Sequence, residues 1–151
     1  MITYQQEFLY LVEGYDELLS RHWEEIALNK DKINLSPDWE AYLAKEEAGE
    51  TALFTVRDDN KLVGYFLVFI GRHIHYQDHV FAQNDVIYVA PEYRKGFTGI
   101  KLIKFAEKCL KEDGVSVIQI NTKFHKDFGS ILKRLGYVPT DTIYGKYVGE
   151  E

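Results

Sequence analysis

The chain has 151 residues, enough for one domain with one substantial core and too few to expect two. Its hydrophobic fraction of 46% beside 28% charged residues is ordinary for a soluble globular protein, and a formal net charge of -6 argues against a nucleic-acid partner, which would ask for a basic face. No apolar run approaches the roughly 18 to 20 residues of a membrane helix and no basic-then-apolar leader opens the chain, so a cytoplasmic protein without a membrane partner is expected.

Aromatic residues stand out: 11 Tyr and 9 Phe favour a strand-rich, well-packed domain. The lone Cys109 has no internal disulfide partner and reads as a core residue of a helix. Along the chain, Phe8, Leu11, Val12, Tyr15, Leu18, Leu19, Trp23 and Ile26 are spaced by threes and fours, which predicts a helix from Gln5 to Ala27, bent or split at Gly14. Ser36 and Pro37 then supply a cap and a first-turn proline for a second helix that runs to about Ala48 and stops at Gly49. The period next changes to that of strands. Two β-rich runs flank Asp58-Asp59-Asn60, and a third, "VFAQNDVIYV", follows a turn near Gln77 to His79; together they predict an antiparallel meander. A helix from Thr98 to Glu112 turns Leu102, Ile103, Ala106, Cys109 and Leu110 inward and ends at Gly114. "VSVIQINT" reads as a buried strand, parallel to the third through a right-handed crossover. Asp127 caps a short helix with Phe128, Ile131, Leu132 and Leu135, ended by Gly136, and "YVPTDTIYGKYV" closes the chain as a hairpin or strand, paired with its own sheet or with a second copy in a homodimer.

The stretch "VAPEYRKGFTGIKLI", Val89 to Ile103, sets a basic, glycine-punctuated turn where a strand becomes a helix. The first free N–H groups of a helix, at the positive end of its dipole, form a phosphate seat. The spacing is neither that of a nucleotide P-loop nor the dinucleotide fingerprint. Two glycines alone are equally well read as a tight turn.

Tyr88-Val89, then Pro91, Tyr93, Arg94, the glycines and "KLIKFAEKCL" together resemble motif A of the GNAT superfamily, the acyl-CoA-dependent N-acetyltransferases, and the later "LKRLGYVP" resembles that superfamily's closing motif. The strings "HWEEIA", "HIHY", "ND" with a following tyrosine, and "YGK" are similar to those of members encoded by tailed bacteriophages. The resemblance covers nearly the whole chain, residues 1 to 151. It implies an α/β fold with a mixed, mostly antiparallel sheet, a splayed parallel strand pair and flanking helices. It also implies acetyl-CoA as co-substrate without a metal, an amine acceptor in a small molecule or protein, and a host cytoplasm if the gene is a phage's. By the same resemblance, backbone amides of Arg94, Lys95, Gly96, Phe97, Thr98 and Gly99 hold a diphosphate, with charge added by Arg94 and Lys95. Pantetheine lies beside Tyr88, Val89 and Ala90, the Val89 amide faces the thioester oxygen, and Asn121 and Lys123 bond from the parallel strand. Two departures are visible. Phe97 stands where the usual pattern has a glycine, with Gly96 one place early, and Leu132 stands where many relatives carry a tyrosine acid.

Acetyl transfer to an amine needs a neutral nitrogen and therefore a base. Asp85, on the strand that lines the expected cleft and at an acidic position of several relatives, is the first candidate, against the plainer role of an ion-pair or turn carboxylate. His75 and Tyr76 follow, since a preceding antiparallel strand would place one of them across from Asp85. Tyr144 is a replacement acid for the leaving thiolate, or simply a packed ring. His73, His75 and His79 share strand parity, but solvated or hydrogen-bonded histidines are favoured over a metal site. Trp23, Glu25 and Trp39 either shape the acceptor side or pack and solvate their helices. The rival to an enzyme is an acyl-CoA-binding or phage structural protein that keeps the fold without the chemistry.

Overall fold

In the computed structural model, which describes residues 1 to 150, five strands make one sheet in the order β1-β2-β3-β4-β5. They are β1 (Ile2–Glu7), β2 (Thr51–Asp58), β3 (Lys61–His73), β4 (Tyr76–Val89) and β5 (Val117–Gln119). The helices are α1 (Tyr15–Ile26), α2 (Trp39–Glu47), α3 (Thr98–Glu112) and α4 (Gly129–Arg134), with 3-10 turns at Leu9–Leu11 and Pro91–Tyr93. All neighbouring strands are antiparallel except β4 and β5. This is the α/β fold with a mixed sheet and flanking helices that the sequence predicts.

The sheet separates two cores. On one face α1 packs Tyr15, Leu18 and Leu19 against Leu53, Tyr65, Leu67 and Tyr88; on the other α3 packs Leu102, Ala106 and Leu110 against Phe54, Val56, Phe66 and Val68. Because both faces are covered, β3 is buried continuously from Leu62 to Val68, and its sequence reads as an unbroken apolar run rather than an alternation. The β2–β3 hairpin turns on Asp59 and Asn60, both at positive φ (45° and 76°), the geometry a two-residue hairpin needs and these side chains tolerate.

One irregularity positions the site. Between β3 and β4, Leu67 pairs with Val86 but Val68 pairs with Asn84, so Asp85 is an extra residue in β4, a β-bulge. Val86 still packs toward α1, and Asp85 reaches Tyr42 of α2 on the same side. β4 shares only three residue pairs with β5, all ahead of the bulge, and the parallel pair parts after Gln119. Two side-chain bonds bridge the gap: Asn121 N–H donates to Asn84 Oδ1 (2.6 Å), and Gln83 Nε2 donates to Asn121 Oδ1 (3.2 Å).

Four sequence expectations are corrected. The stretch predicted as helix from Gln5 begins instead as edge strand β1, and the helix starts only at Tyr15. Gly14, at φ 80°, is left-handed and cannot continue a right-handed helix, while Phe8 and Leu11, counted in the apolar stripe, are exposed. The second helix is capped by Asp38, whose carboxylate accepts from Ala41 N–H (3.0 Å), rather than by Ser36. The β3–β4 turn lies at Ile74 and His75, ahead of Gln77. The closing stretch from Tyr137 to Val148 forms no strand; Val138, Ile143, Tyr144 and Val148 are exposed, without the cross-strand partners a hairpin needs. The helix expected from Thr98 to Glu112 has those bounds, and Gly114, at φ 91°, follows it.

Candidate functional site

Ladder alternation decides which peptide groups of β4 are free. Ala90 N–H donates to Val63 O (2.8 Å), so Ala90, Tyr88 and Val86 direct their peptide groups at β3, and Val89 and Ile87 direct theirs the other way, to the edge that β5 has left. That edge leads through the Pro91–Tyr93 turn into the start of α3. The first bond of α3 is donated by Lys101 to Phe97 O (2.8 Å), which leaves the amides of Thr98, Gly99 and Ile100 as free donors at the positive helix end. Gly96 has φ 78°, and a Cβ built at Gly96 or Gly99 would meet nothing within 4 Å. The turn is open toward solvent along its amides, with room for an anion to approach the backbone, and its exposed cation Lys95 adds positive charge. These features fit a diphosphate. Phe97 is 66% exposed, so its ring is not buried in the turn.

Arg94 does not point at this seat. Its Nε donates to Val89 O (2.7 Å), its Nη2 donates to both Glu25 oxygens (2.8 and 3.0 Å), and its guanidinium lies 5.1 Å from the Tyr88 ring centroid. A second pair, Arg21 to Glu92 (3.0 and 3.2 Å), also ties α1 to the turn after β4. Between the two pairs a depression of about 470 Å³ is lined by Ser20, Arg21, Glu24, Glu25, Tyr88 and Pro91.

The face toward α1 and α2 holds a buried aromatic and polar network. Asp85 Oδ2 accepts from Tyr42 Oη (2.5 Å). Burial pushes the Asp85 carboxyl up, and the Tyr42 hydrogen bond works against that rise. His22, only 6% exposed, shares a 2.8 Å hydrogen bond between its Nδ1 and Tyr65 Oη, and its ring stacks on Tyr88 at 4.6 Å. Burial depresses the His22 pKa to about 4; Arg94 and Lys123 act in the same direction and Glu25 opposes them. Tyr15, Tyr42 and Tyr65 are all raised, chiefly by burial, so their hydroxyls are donors and not bases at neutral pH.

The structure therefore gathers Asp85, Tyr88, Val89, Ala90, Arg94 and the Lys95 to Gly99 turn along one strand and its exit. Asn121 lies across the splay but is held by Asn84 and Gln83, and Lys123 is exposed in the loop after β5, electrostatically close to His22. His75 and Tyr76 are not placed across from Asp85. They sit at the β3–β4 turn, nine or ten residues away along an extended strand, roughly 30 Å. Tyr144 is 91% exposed in the closing segment. His73 and His75 meet ring to ring at 5.1 Å, while His79 bonds Ser116 Oγ at 3.2 Å.

Sequence reasoning missed His22, Tyr42 and Tyr65, and gave Glu25 only a general role. For His22 a signal was present: Tyr15, Leu18, Leu19 and His22 make the buried face of α1, so a polar residue occupies the next inward station of an apolar stripe. Tyr42 and Tyr65 carry no such mark, because a tyrosine in a core sequence looks the same whether or not its hydroxyl is used.

Residues 12–131 match the sequence profile of the acetyltransferase (GNAT) family. A search of curated proteins finds no match. Among solved structures, the chain is similar to a transcriptional regulator from Bacillus halodurans (TM-score 0.76, 18% identity, 97% of this chain and 99% of that one). It is similar also to an aminoglycoside acetyltransferase from an uncultured soil metagenomic sample (TM-score 0.75, 13% identity, 99% of each chain). A predicted acetyltransferase from Clostridium acetobutylicum, solved with acetyl-CoA, aligns with TM-score 0.75 at 12% identity over 98% of this chain and 97% of that one. At these identities the likeness is one of fold.

Proposed function

The chain belongs to the acetyltransferase (GNAT) family, and on that premise we propose that residues 1 to 151 act as one domain that moves an acetyl group from acetyl-CoA to a primary amine, by direct attack in a ternary complex. The observation that carries this reading is the continuity of the free β4 edge at Val89 with the free amides at the start of α3. A thioester with a diphosphate tail needs those two features in that order. Acetyl-CoA supplies the activated acetyl carbonyl; everything else falls to the chain.

In this reading the amides from Lys95 to Gly99 hold the diphosphate, and the Val89 N–H, aimed off the sheet, is the donor toward the carbonyl under attack. One such donor is worth about 3 kcal/mol in enzymes where it has been removed. The bulge brings Asp85 onto the α1 and α2 face, where burial raises its affinity for a proton toward that of a useful base. Tyr42 fixes the carboxylate by its 2.5 Å bond. Leu132 is a buried aliphatic residue with no proton to offer, so the thiolate departs unassisted, which a leaving group of pKa about 8.5 tolerates. The compartment that goes with this reading is the cytoplasm, and the acceptor is a small molecule or a protein amine.

The same Leu132 favours a second reading, in which acyl-CoA is bound without transfer. One experiment separates them. The melting temperature is measured with and without saturating acetyl-CoA, and labelled acetyl-CoA is offered with polyamines, aminoglycosides, peptides and host proteins. A shift with acetylation supports transfer, and a shift without any labelled product supports the binder. No shift at saturation removes both.

A further inference from the structure

We propose that Arg94 is a built-in stand-in for the acceptor's ammonium, and that Glu25 is the residue that recognises a cationic amine once Arg94 has moved; the inference rests on the acetyltransfer reading above. Arg94 makes three contacts: the Glu25 carboxylate at 2.8 and 3.0 Å, the Val89 carbonyl at 2.7 Å, and the face of Tyr88 at 5.1 Å. A carboxylate, a carbonyl and an aromatic face are also what a substrate ammonium uses. They lie beside the Val89 peptide, where the reacting carbonyl has to be, and they border the depression lined by Ser20, Arg21, Glu24, Glu25, Tyr88 and Pro91.

The Arg94 contacts conflict with loading of the site. The Val89 carbonyl faces the open edge of β4, and a chain adding along that edge needs it. A diphosphate at the turn also draws on the Arg94 charge, four residues ahead of the free Thr98 amide. When Arg94 turns to the diphosphate, Glu25 is left half-buried beside Tyr88 without a cation, because the neighbouring Arg21 is committed to Glu92 through two hydrogen bonds. A buried-side carboxylate in that position selects a positive acceptor and rejects a neutral or acidic one. Cofactor and acceptor are thereby coupled: the place for the amine exists only after the diphosphate has claimed the arginine.

The test uses the whole chain and two readouts. Coenzyme A affinity is measured by calorimetry at fixed salt for the wild type, Glu25→Gln and Glu25→Asp. Breaking the Arg94 pair is part of wild-type binding, so E25Q should bind coenzyme A tighter by about fivefold, the upper end for a partly exposed ion pair, and E25D by less. Spermidine, as a probe cation, should then bind the wild type more tightly with saturating coenzyme A than without, and E25Q should lose that gain. Equal or weaker coenzyme A affinity in E25Q overturns the stand-in, and spermidine affinity indifferent to coenzyme A or to Glu25 overturns the recognition role. A wild type that binds no coenzyme A at all removes the acetyltransfer reading itself, an outcome distinct from either.

Discussion

His22 should make the fold acid-sensitive by an amount the structure sets. Its imidazole is buried between Tyr65 and Tyr88, with Nδ1 bonded to the Tyr65 hydroxyl, and its pKa falls from 6.5 to about 4, chiefly through burial. At neutral pH the ring is uncharged in both folded and unfolded chains and contributes no pH dependence. Between pH 6.5 and about 4 the unfolded chain takes a proton that the folded one refuses, so stability is lost as the pH falls through that window. At 1.36 kcal/mol per pH unit the loss reaches about 3 kcal/mol near the lower end. Urea denaturation of wild type and His22→Gln across the same window isolates this contribution, since the carboxylates that also titrate there are common to both. The glutamine does not titrate and still offers Tyr65 a hydrogen-bonding partner. The wild type should lose about 3 kcal/mol more than the variant between pH 7 and pH 4, equivalent to roughly 6 to 12 °C in Tm for a chain of this size. Parallel curves would show that the folded protein accepts the proton, and the account of His22 as a desolvated core imidazole would fail.

Three further outcomes are expected. Asp85→Asn should lower acetylation turnover about 100-fold or more while coenzyme A affinity stays constant; a variant at full rate shows that Asp85 is not the base. Tyr42→Phe removes the one bond that opposes the burial-driven rise of Asp85, so the acid limb of the rate profile should move to higher pH, and an unmoved limb breaks the link between Tyr42 and the base. Gly64→Ala places a Cβ 3.0 Å from the Tyr88 carbonyl oxygen and 3.2 Å from a Val89 methyl, forcing β4 aside. It should cost about 1 to 3 kcal/mol in denaturant titration, with a loss of coenzyme A affinity; an unchanged affinity means the β4 edge is not the binding strand.

Much of the fold was legible because local signals and burial agree. The apolar stripe, the following Gly114 and the absence of internal breakers fix α3, and Asp59-Asn60 supplies the backbone geometry of its hairpin. Where they disagree the reading slips. β1 is an edge strand whose residues are mostly exposed, so it shows no clean alternation, and the stations of Phe8 and Leu11 mimic a helical face by coincidence of spacing. The closing segment has strand-like residues but no partner to pair with. For the site, the turn and Asp85 could be seen because charge and glycine are rare in such places. The bulge could not, since it is a relation between β3 and β4 and neither strand records it alone. Arg94 shows the same gap: its sequence station suggests a diphosphate ligand, while its contacts depend on Glu25, 69 residues away.

The extra residue in β4 shifts the strand's phase by half a period. Upstream, even-numbered Ala82 belongs to the α3 core; downstream, even-numbered Val86, Tyr88 and Ala90 belong to the α1 side. Excising Asp85 itself would only flatten the bulge and leave both sets on their faces, whereas excising one residue from Ile87 to Val89 would swap the two sets beyond the cut, driving rings into the aliphatic core and methyls toward the acids. Length changes are absorbed easily in the surface connections of this chain, but within those few residues the count itself carries the chemistry.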